Sequence, residues 1–455
     1  MRPPGERCVQ EFCGGAPGCG KGDDVMERPS AKPGEIIVGL DIGSTTVRAV
    51  VGEIGSDGVD ITGVGESRSR GMRKGVVVNI ESTQQSIREA VDKASMMAGV
   101  QIATVFSGIA GSHLRGVNSH GIVSIANHEC SREDVDRVLD QARRISMPLD
   151  RTVIHVLPQD FVIDQQDGVR EPVGMSGVRI EARVHLVTAA VSSVQNVTKC
   201  IERCNLHVTE LVLTPLASAE AVLTDDEKEI GVALVDIGGG ATDVVIYSEG
   251  SLRHTAVLPI GGENLTNDIA AGLRTPASEA ERIKVRYGCA MRSMVDPEET
   301  LEVPGVGGRP SRTLSRDYLA SIAEPRMEEL FQCIAQALHG SGMIDRLNAG
   351  VVLCGGGSLL EGSVELAEQV LQVPVRRGVP TGVGGMVEMV RSPAMATAVG
   401  LVKYGAARPA RIATPSTAGT YQGPVKASAT TDGRAQAAGD AHWWGKFRGW
   451  LGEVF

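Results

Sequence analysis

From residue 35 onward, short continuous apolar runs alternate with longer stretches whose apolar positions recur every three to four residues. Residues 36–40 (IIVGL) are apolar throughout, end in Asp41-Ile42-Gly43-Ser44-Thr45, and are followed by the β-branched run 47–54. The same order returns at 231–235 (GVALV), which ends in Asp236-Ile237-Gly238-Gly239-Gly240 and continues into 242–247. Apolar runs of this length bounded by glycine turns predict buried strands, so each segment is expected to fold as strand, tight turn and strand. A repeat at such long range marks duplicated domains, since solenoid periods reach only ~50 residues.

Between the two copies, residues 82–99 place Ile87, Ala90, Val91, Ala94 and Met97 at helical spacing and stop at Gly99. Residues 131–146 open with Ser131 and Asp134 as a capping pair and carry Val135, Val138, Leu139, Ala142 and Ile145 on one face, with Pro148 beyond. Strand-like runs at 103–109, 121–125 and 153–162 complete a small α+β unit. Downstream, 278–288 (SEAERIKVRYG) predicts a helix with Glu281 and Lys284 at i, i+3. A third glycine stretch, Cys354-Gly355-Gly356-Gly357-Ser358, follows a predicted strand at 350–353 and is expected to lead into a helix from Leu359.

The glycines at Gly43, Gly238, Gly239 and Gly240 let backbone amides approach phosphate oxygens without a side chain between them. Ser44, Thr45 and Thr242 add hydroxyls. Asp41 and Asp236, at the ends of buried strands, are costly to bury unless they hold a cation or its waters. Two such loops facing one another would clamp a polyphosphate with magnesium between them. Gly355, Gly356, Gly357 and Ser358 stand between strand and helix, where close approach to a nucleoside is possible.

Composition narrows the class. A hydrophobic share of 42% and a formal net charge of −10 describe a globular chain ill suited to generic nucleic-acid binding. No run of 18 apolar residues is present. The nine cysteines are scattered; with no neighbouring His and no C-x-x-C spacing, Cys8, Cys13 and Cys19 make a poor metal site. Free thiols in a reducing cytoplasm are expected.

The ends differ from the middle. Residues 1–34 carry no periodic apolar pattern and are expected to be a disordered extension, with Met26 a possible true start. Gly15–Lys21 imitates a phosphate loop, but Gly22 stands where a magnesium-binding hydroxyl is needed and two aspartates follow. Residues 405–440 form an Ala/Gly/Thr/Ser/Pro-rich tether. Beyond it lie all three Trp of the chain. As a helix, 441–455 would align Trp443, Phe447, Trp450, Leu451 and Val454 on one face, bordered by Trp444 and Phe455. That pattern predicts an interfacial membrane anchor. Gly445, Gly449 and Gly452 weaken it in water, so it should order on binding.

The order of the two Asp-Ile-Gly loops, the Glu281/Lys284 helix and the third glycine loop resembles the actin–Hsp70–sugar kinase superfamily. Gly261-Gly262, before 264–270, also matches a superfamily position near the nucleotide. The stretches SRGM (69–72), HVLPQ (155–159), PVGMSG (172–177), LAS (216–218), IKVRYG (283–288) and VGGRP (306–310) are narrower. They make 35–404 similar to the FtsA family of bacterial cell-division proteins.

The resemblance implies an α/β, actin-like ATPase fold of two duplicated domains with an inserted α+β subdomain, plus the C-terminal amphipathic helix. The expected parts are 35–80 with 176–227, the insert 81–175, then 228–260 with 326–404, and a small subdomain at 261–325. ATP and Mg2+ are the implied cofactors, with Asp41 and Asp236 on the ion through water. The first two loops would grip phosphates, Glu281 and Lys284 would contact ribose and purine, the third glycine loop would cup the adenosine, and Gly262 would lie near the nucleotide. Implied partners are FtsZ through 261–325, further copies in filaments, membrane lipids, and later division proteins through the insert, at the septal inner membrane. Weak ATP turnover at most is expected. The rivals are a pilus-assembly adaptor and a sugar-kinase-like phosphotransferase on the same fold.

Overall fold

The computed structural model describes residues 34–56, 58–305 and 310–407. The N-terminal extension with its phosphate-loop mimic, most of the VGGRP stretch, the tether from residue 408 and the terminal helix lie outside the described residues, while Gly405 and Ala406, expected to open the tether, still belong to the helix Ala396–Ala406.

The duplication predicted from the two Asp-Ile-Gly segments is visible down to single hydrogen bonds. Ile36–Ile42 and Thr46–Ile54 form one antiparallel hairpin, Val232–Ile237 and Thr242–Ser248 the other. In both, the four-residue turn is closed by the same bond: Gly43 N–H donates to Thr46 O at 3.1 Å, and Gly238 N–H to Ala241 O at 3.0 Å. Each hairpin continues into a third antiparallel strand, Val59–Arg68 or Ser251–Leu258. Each first strand also takes a parallel neighbour on its other side, Thr104–Ile109 or Val351–Cys354. An outer parallel strand, His207–Leu213 or Val375–Arg377, completes each five-strand set. Gly384–Gly385 then adds a short edge to the first sheet.

The helices form where the periodicity placed them, with shifted ends. Asn79 caps the first, accepting from Ser82 N–H at 2.9 Å, so it runs Ile80–Ala98 and stops at the left-handed Gly99. It buries Ile87, Ala90, Val91 and Ala94 against the first sheet. Ser131 and Asp134 form the expected capping box on Arg132–Arg143. That helix ends three residues short of Ser146 and well before Pro148. Residues 278–288 fold as Ala277–Tyr287.

One expectation fails. No helix starts at Leu359: a 3-10 turn spans Gly356–Leu359, and the helix is Ser363–Leu371. The cause is Gly362, at φ +75°, which breaks the helical path and serves as the N-cap. Ahead of it Glu361 is held by a bridge to Cys289.

Between Ile109 and Val191 the chain builds a separate four-stranded sheet in the order Arg115–Ser124, Arg179–Ala190, Arg151–Ile163, Gln166–Val169. The helix Arg132–Arg143 packs on it through Val138 and Ala142. Although it emerges from the first half, this sheet bonds to the third strand of the second. Gln159 Nε2 donates to Leu252 O at 3.0 Å, Arg253 Nη1 to Asp160 Oδ2 at 2.9 Å, and His185 Nε2 hydrogen-bonds Thr255 Oγ1 at 3.0 Å. Burial against this seam pushes the His185 imidazole down to about 4, which keeps it neutral.

Two helices bridge the halves. Thr214–Val222 follows the outer strand of the first sheet and leads, through Asp225–Ile230, into the second. Ala396–Ala406 lies on the first sheet, while the turn before it touches the second: Gly355 N–H donates to Pro393 O at 3.0 Å. The bridging helices cross so closely that a Cβ on Gly400 would stand 1.8 Å from Ala217 O. Only glycine fits there.

Candidate functional site

The two hairpin turns meet tip to tip. A Cβ on Gly239 would lie 2.3 Å from Thr45 Cγ2, and one on Gly240 would lie 2.6 Å from Ser44 Oγ and 2.9 Å from Lys74 Cα. The absence of side chains at these glycines is therefore what lets the loops approach. Ser44 Oγ accepts from Gly75 N–H at 3.0 Å, which leaves its own proton available. Both turns border a cleft of about 420 Å³.

The cleft gathers Asp41, Gly43, Ser44 and Thr45 from the first turn and Asp236, Gly238, Gly239 and Gly240 from the second. Gly262, Glu281, Lys284, Gly355, Gly356 and Gly357 also line it. Two predicted residues stand apart. The Thr242 hydroxyl is buried and donates to Ile260 O at 2.8 Å, and that of Ser358 donates to Gly355 O at 2.8 Å. Both hold loops in shape and do not face the cleft.

The Glu281–Lys284 pair is a salt bridge of 2.7 Å, but Lys284 does more than balance Glu281. Its Nζ donates to Gly262 O at 3.2 Å and to Thr266 Oγ1 at 2.9 Å, while the Thr266 hydroxyl bonds Glu281. The cation thus ties two helices together at the rim of the cleft.

Gly355, at φ +79°, brings the third glycine loop against the carboxylate cluster: a Cβ there would lie 2.3 Å from Asp236 Oδ1. Any other residue would suffer both strain and collision.

Asp41 and Asp236 are joined by a third carboxylate, Asp243, which lies in the strand expected at 242–247 and was not singled out from the sequence. Burial raises all three: Asp41 to about 6 despite Arg48 nearby, Asp236 upward against the hydrogen bonds of Ser218, Thr397 and Cys354, and Asp243 to about 8, helped by the other two. Ser218 Oγ donates to Asp236 Oδ2 at 2.8 Å. Asp243 Oδ1 is buried with no hydrogen-bond partner. A signal for it existed. Asp243 is the cross-strand partner of Asp236, as Arg48 is of Asp41.

An orphaned buried carboxylate oxygen beside two more carboxylates fits a divalent cation, and the glycine turns fit a polyanion bound to it. Among the described residues no three His, Cys, Asp or Glu side chains are arranged to ligate an ion directly. No helix among them is long and apolar enough to cross a membrane.

The chain resembles known proteins along most of its length. The family description "Cell division protein FtsA" matches residues 233–400, and "SHS2 domain inserted in FTSA" matches 111–188, the region of the separate four-stranded sheet. The cell division protein FtsA of Pseudomonas aeruginosa is 55% identical over 377 residues, covering 83% of this chain and 90% of the relative. That of Neisseria meningitidis is 47% identical, covering 80% and 88%, and that of Bacillus subtilis 38%, covering 83% and 85%. A solved chain of the PilM–PilN type IV pilus biogenesis complex superposes with a TM-score of 0.59 at 19% identity, covering 82% of this chain and 99% of that one. That likeness concerns the fold, which is the actin-like one.

Proposed function

Because the chain belongs to the FtsA family of bacterial cell-division proteins, we propose that it binds ATP with Mg2+ between its duplicated halves and anchors the FtsZ ring to the inner membrane. The observation that carries the nucleotide reading is the apposition of the two glycine turns beside the buried Asp236 and Asp243 and the partly buried Asp41, with Asp243 Oδ1 lacking a hydrogen-bond partner. In this reading the amides of both turns and the Ser44 hydroxyl bind phosphate oxygens. Asp41, Asp236 and Asp243 hold Mg2+ through its waters, and the ion supplies the positive charge that lets them stay ionised. Lys284 and Glu281 flank the nucleoside, and the Gly355–Gly357 turn borders it.

The anchoring reading rests on the sequence of 441–455. One short helix with three glycines attaches reversibly; a filament presenting one helix per subunit raises the effective concentration of the next. The subunit is thus proposed to polymerise on the cytoplasmic face at the septum. It meets FtsZ through 261–325 and later division proteins through the inserted subdomain. An adaptor role is favoured over catalysis. Relatives at up to 55% identity carry the cell-division description, whereas the pilus likeness is one of fold at 19%.

The test is reconstitution. Full-length protein with Mg-ATP on anionic liposomes should recruit FtsZ filaments to the bilayer, and a chain lacking 441–455 should leave them in solution. FtsZ remaining in solution with the full-length protein, at concentrations that saturate a fluorescent ATP analogue, would overturn the anchoring reading and leave the nucleotide reading standing.

A further inference from the structure

Asp236 is held by residues far from it in the chain. Ser218, on the bridging helix Thr214–Val222, donates to its Oδ2 at 2.8 Å. Thr397, at the start of the bridging helix Ala396–Ala406, reaches the same oxygen at 3.3 Å and lies 2.9 Å from Ser218 Oγ. All three are buried: Ser218 is 0%, Thr397 6% and Asp236 6% exposed. Two hydroxyls carry two protons. With that of Ser218 on the carboxylate, that of Thr397 divides between Ser218 Oγ and Oδ2. Ser218 is therefore the nearer support and Thr397 orients it.

The location gives the contact its meaning. Ser218 is one residue along from Ala217, whose carbonyl meets Gly400 where the two bridging helices cross, and Gly400 is one turn along from Thr397. A change in that crossing moves the two hydroxyls relative to one another. Displacing the carboxylate moves the same bonds from the other side.

We propose that Ser218 and Thr397 are positioning residues for Asp236, a hydroxyl pair through which the two bridging helices and the occupant of the cleft sense one another. The inference rests on the nucleotide reading above and goes beyond it, assigning the coupling to two side chains outside the glycine loops. Hydrogen bonds to an ionised group are the strong ones, and losing one from a buried carboxylate is felt wherever that carboxylate acts.

The experiment uses full-length protein and a fluorescent ATP analogue with Mg2+. Ser218→Ala should weaken binding about tenfold, and Thr397→Val, which keeps the volume and loses the hydroxyl, about three- to fivefold. Thr397→Ser should bind as the wild type does. The double variant Ser218→Ala with Thr397→Val should lose less than the product of the two, because both act on one carboxylate. Hydrogen exchange supplies the second measurement. In the wild type, saturating nucleotide should slow amide exchange in 214–222 and 396–406. In Thr397→Val, saturated by a higher concentration, that slowing should be absent, whereas a merely structural loss would speed exchange equally with and without nucleotide. Equal affinity of Thr397→Val and wild type, or equal impairment of Thr397→Val and Thr397→Ser, overturns the proposal while the nucleotide reading stands. No binding by the wild type overturns the nucleotide reading, and this inference with it.

Discussion

Asp236 and Asp243 oppose one another across the ladder of the second hairpin, at the register positions that Asp41 and Arg48 hold in the first. The duplicated hairpins are therefore alike in backbone and unlike in charge. In the first copy a guanidinium lies 4.0 Å from the carboxylate. In the second, two acids meet in a buried place, and burial together with mutual repulsion raises Asp243 to about 8.

The ligand-free protein should lose stability as pH rises from about 4 to about 8. Folded Asp243 keeps its proton to about 8, whereas the unfolded chain releases it near 3.8. Across that window the native state binds more protons, so the stability contribution is present at low pH and lost as pH climbs. Asp41, raised to about 6, acts in the same sense over a narrower range. Asp243→Asn should flatten this slope and leave the variant more resistant to urea than the wild type at pH 8.5 in EDTA. Parallel profiles of midpoint against pH for the two proteins would refute the assignment.

Gly239→Asp should abolish binding of a fluorescent ATP analogue, because its Cβ would fall against Thr45 and its charge against phosphate. Asp236→Ala should do the same by removing a carboxylate on which the ion depends. If Asp41 and Asp236 act through Mg2+, chelation with EDTA should lower wild-type affinity sharply, and substitution should then add little. Full additivity of substitution and chelation would count against a shared ion.

Gly400→Ala should destabilise the fold by about 1–3 kcal/mol or more, the range of overpacked cores. The added methyl would stand 1.8 Å from the Ala217 carbonyl, a backbone atom that cannot rotate aside. A urea midpoint unchanged from wild type would show that the bridging helices can part at their crossing without cost.

Removing 441–455, or changing Trp443 and Phe447 to Glu, should release the protein from anionic liposomes with nucleotide binding intact. A charge placed in an apolar membrane-facing surface costs ~2.5–3.5 kcal/mol at a bilayer centre and less at the interface. Two such changes approach the whole attachment energy of one short helix. Flotation of the truncated chain with the liposomes would end the membrane role assigned to this segment.

Much of the fold was legible because its signals are local. Apolar runs closed by glycine gave both hairpins, and Gly99 and the Ser131–Asp134 pair gave helix ends. What escaped depends on distant partners. Arg179–Ala190 alternates only in its first half and is buried from Val184 to Ala189, since it lies centrally between two neighbours. Nothing within its own sequence specifies them. Ser218 and Thr397 escaped for the same reason: they become partners of Asp236 only once three separate elements have been packed together. The helix misplaced at Leu359 is a local failure, in which glycine-rich sequence left the path between Gly355 and Gly362 undetermined.

The inserted sheet is rooted in one half of the molecule and bonded to the other, through Gln159, Asp160 and His185. With the bridging helices, this makes a closed linkage of three bodies in place of a simple hinge. The halves cannot rotate about their cleft while all three joints keep their geometry: either the insert swivels at its root or its seam with Leu252, Arg253 and Thr255 slides. A change of aperture would therefore have to be taken up at the root of the insert or along its seam with Leu252, Arg253 and Thr255.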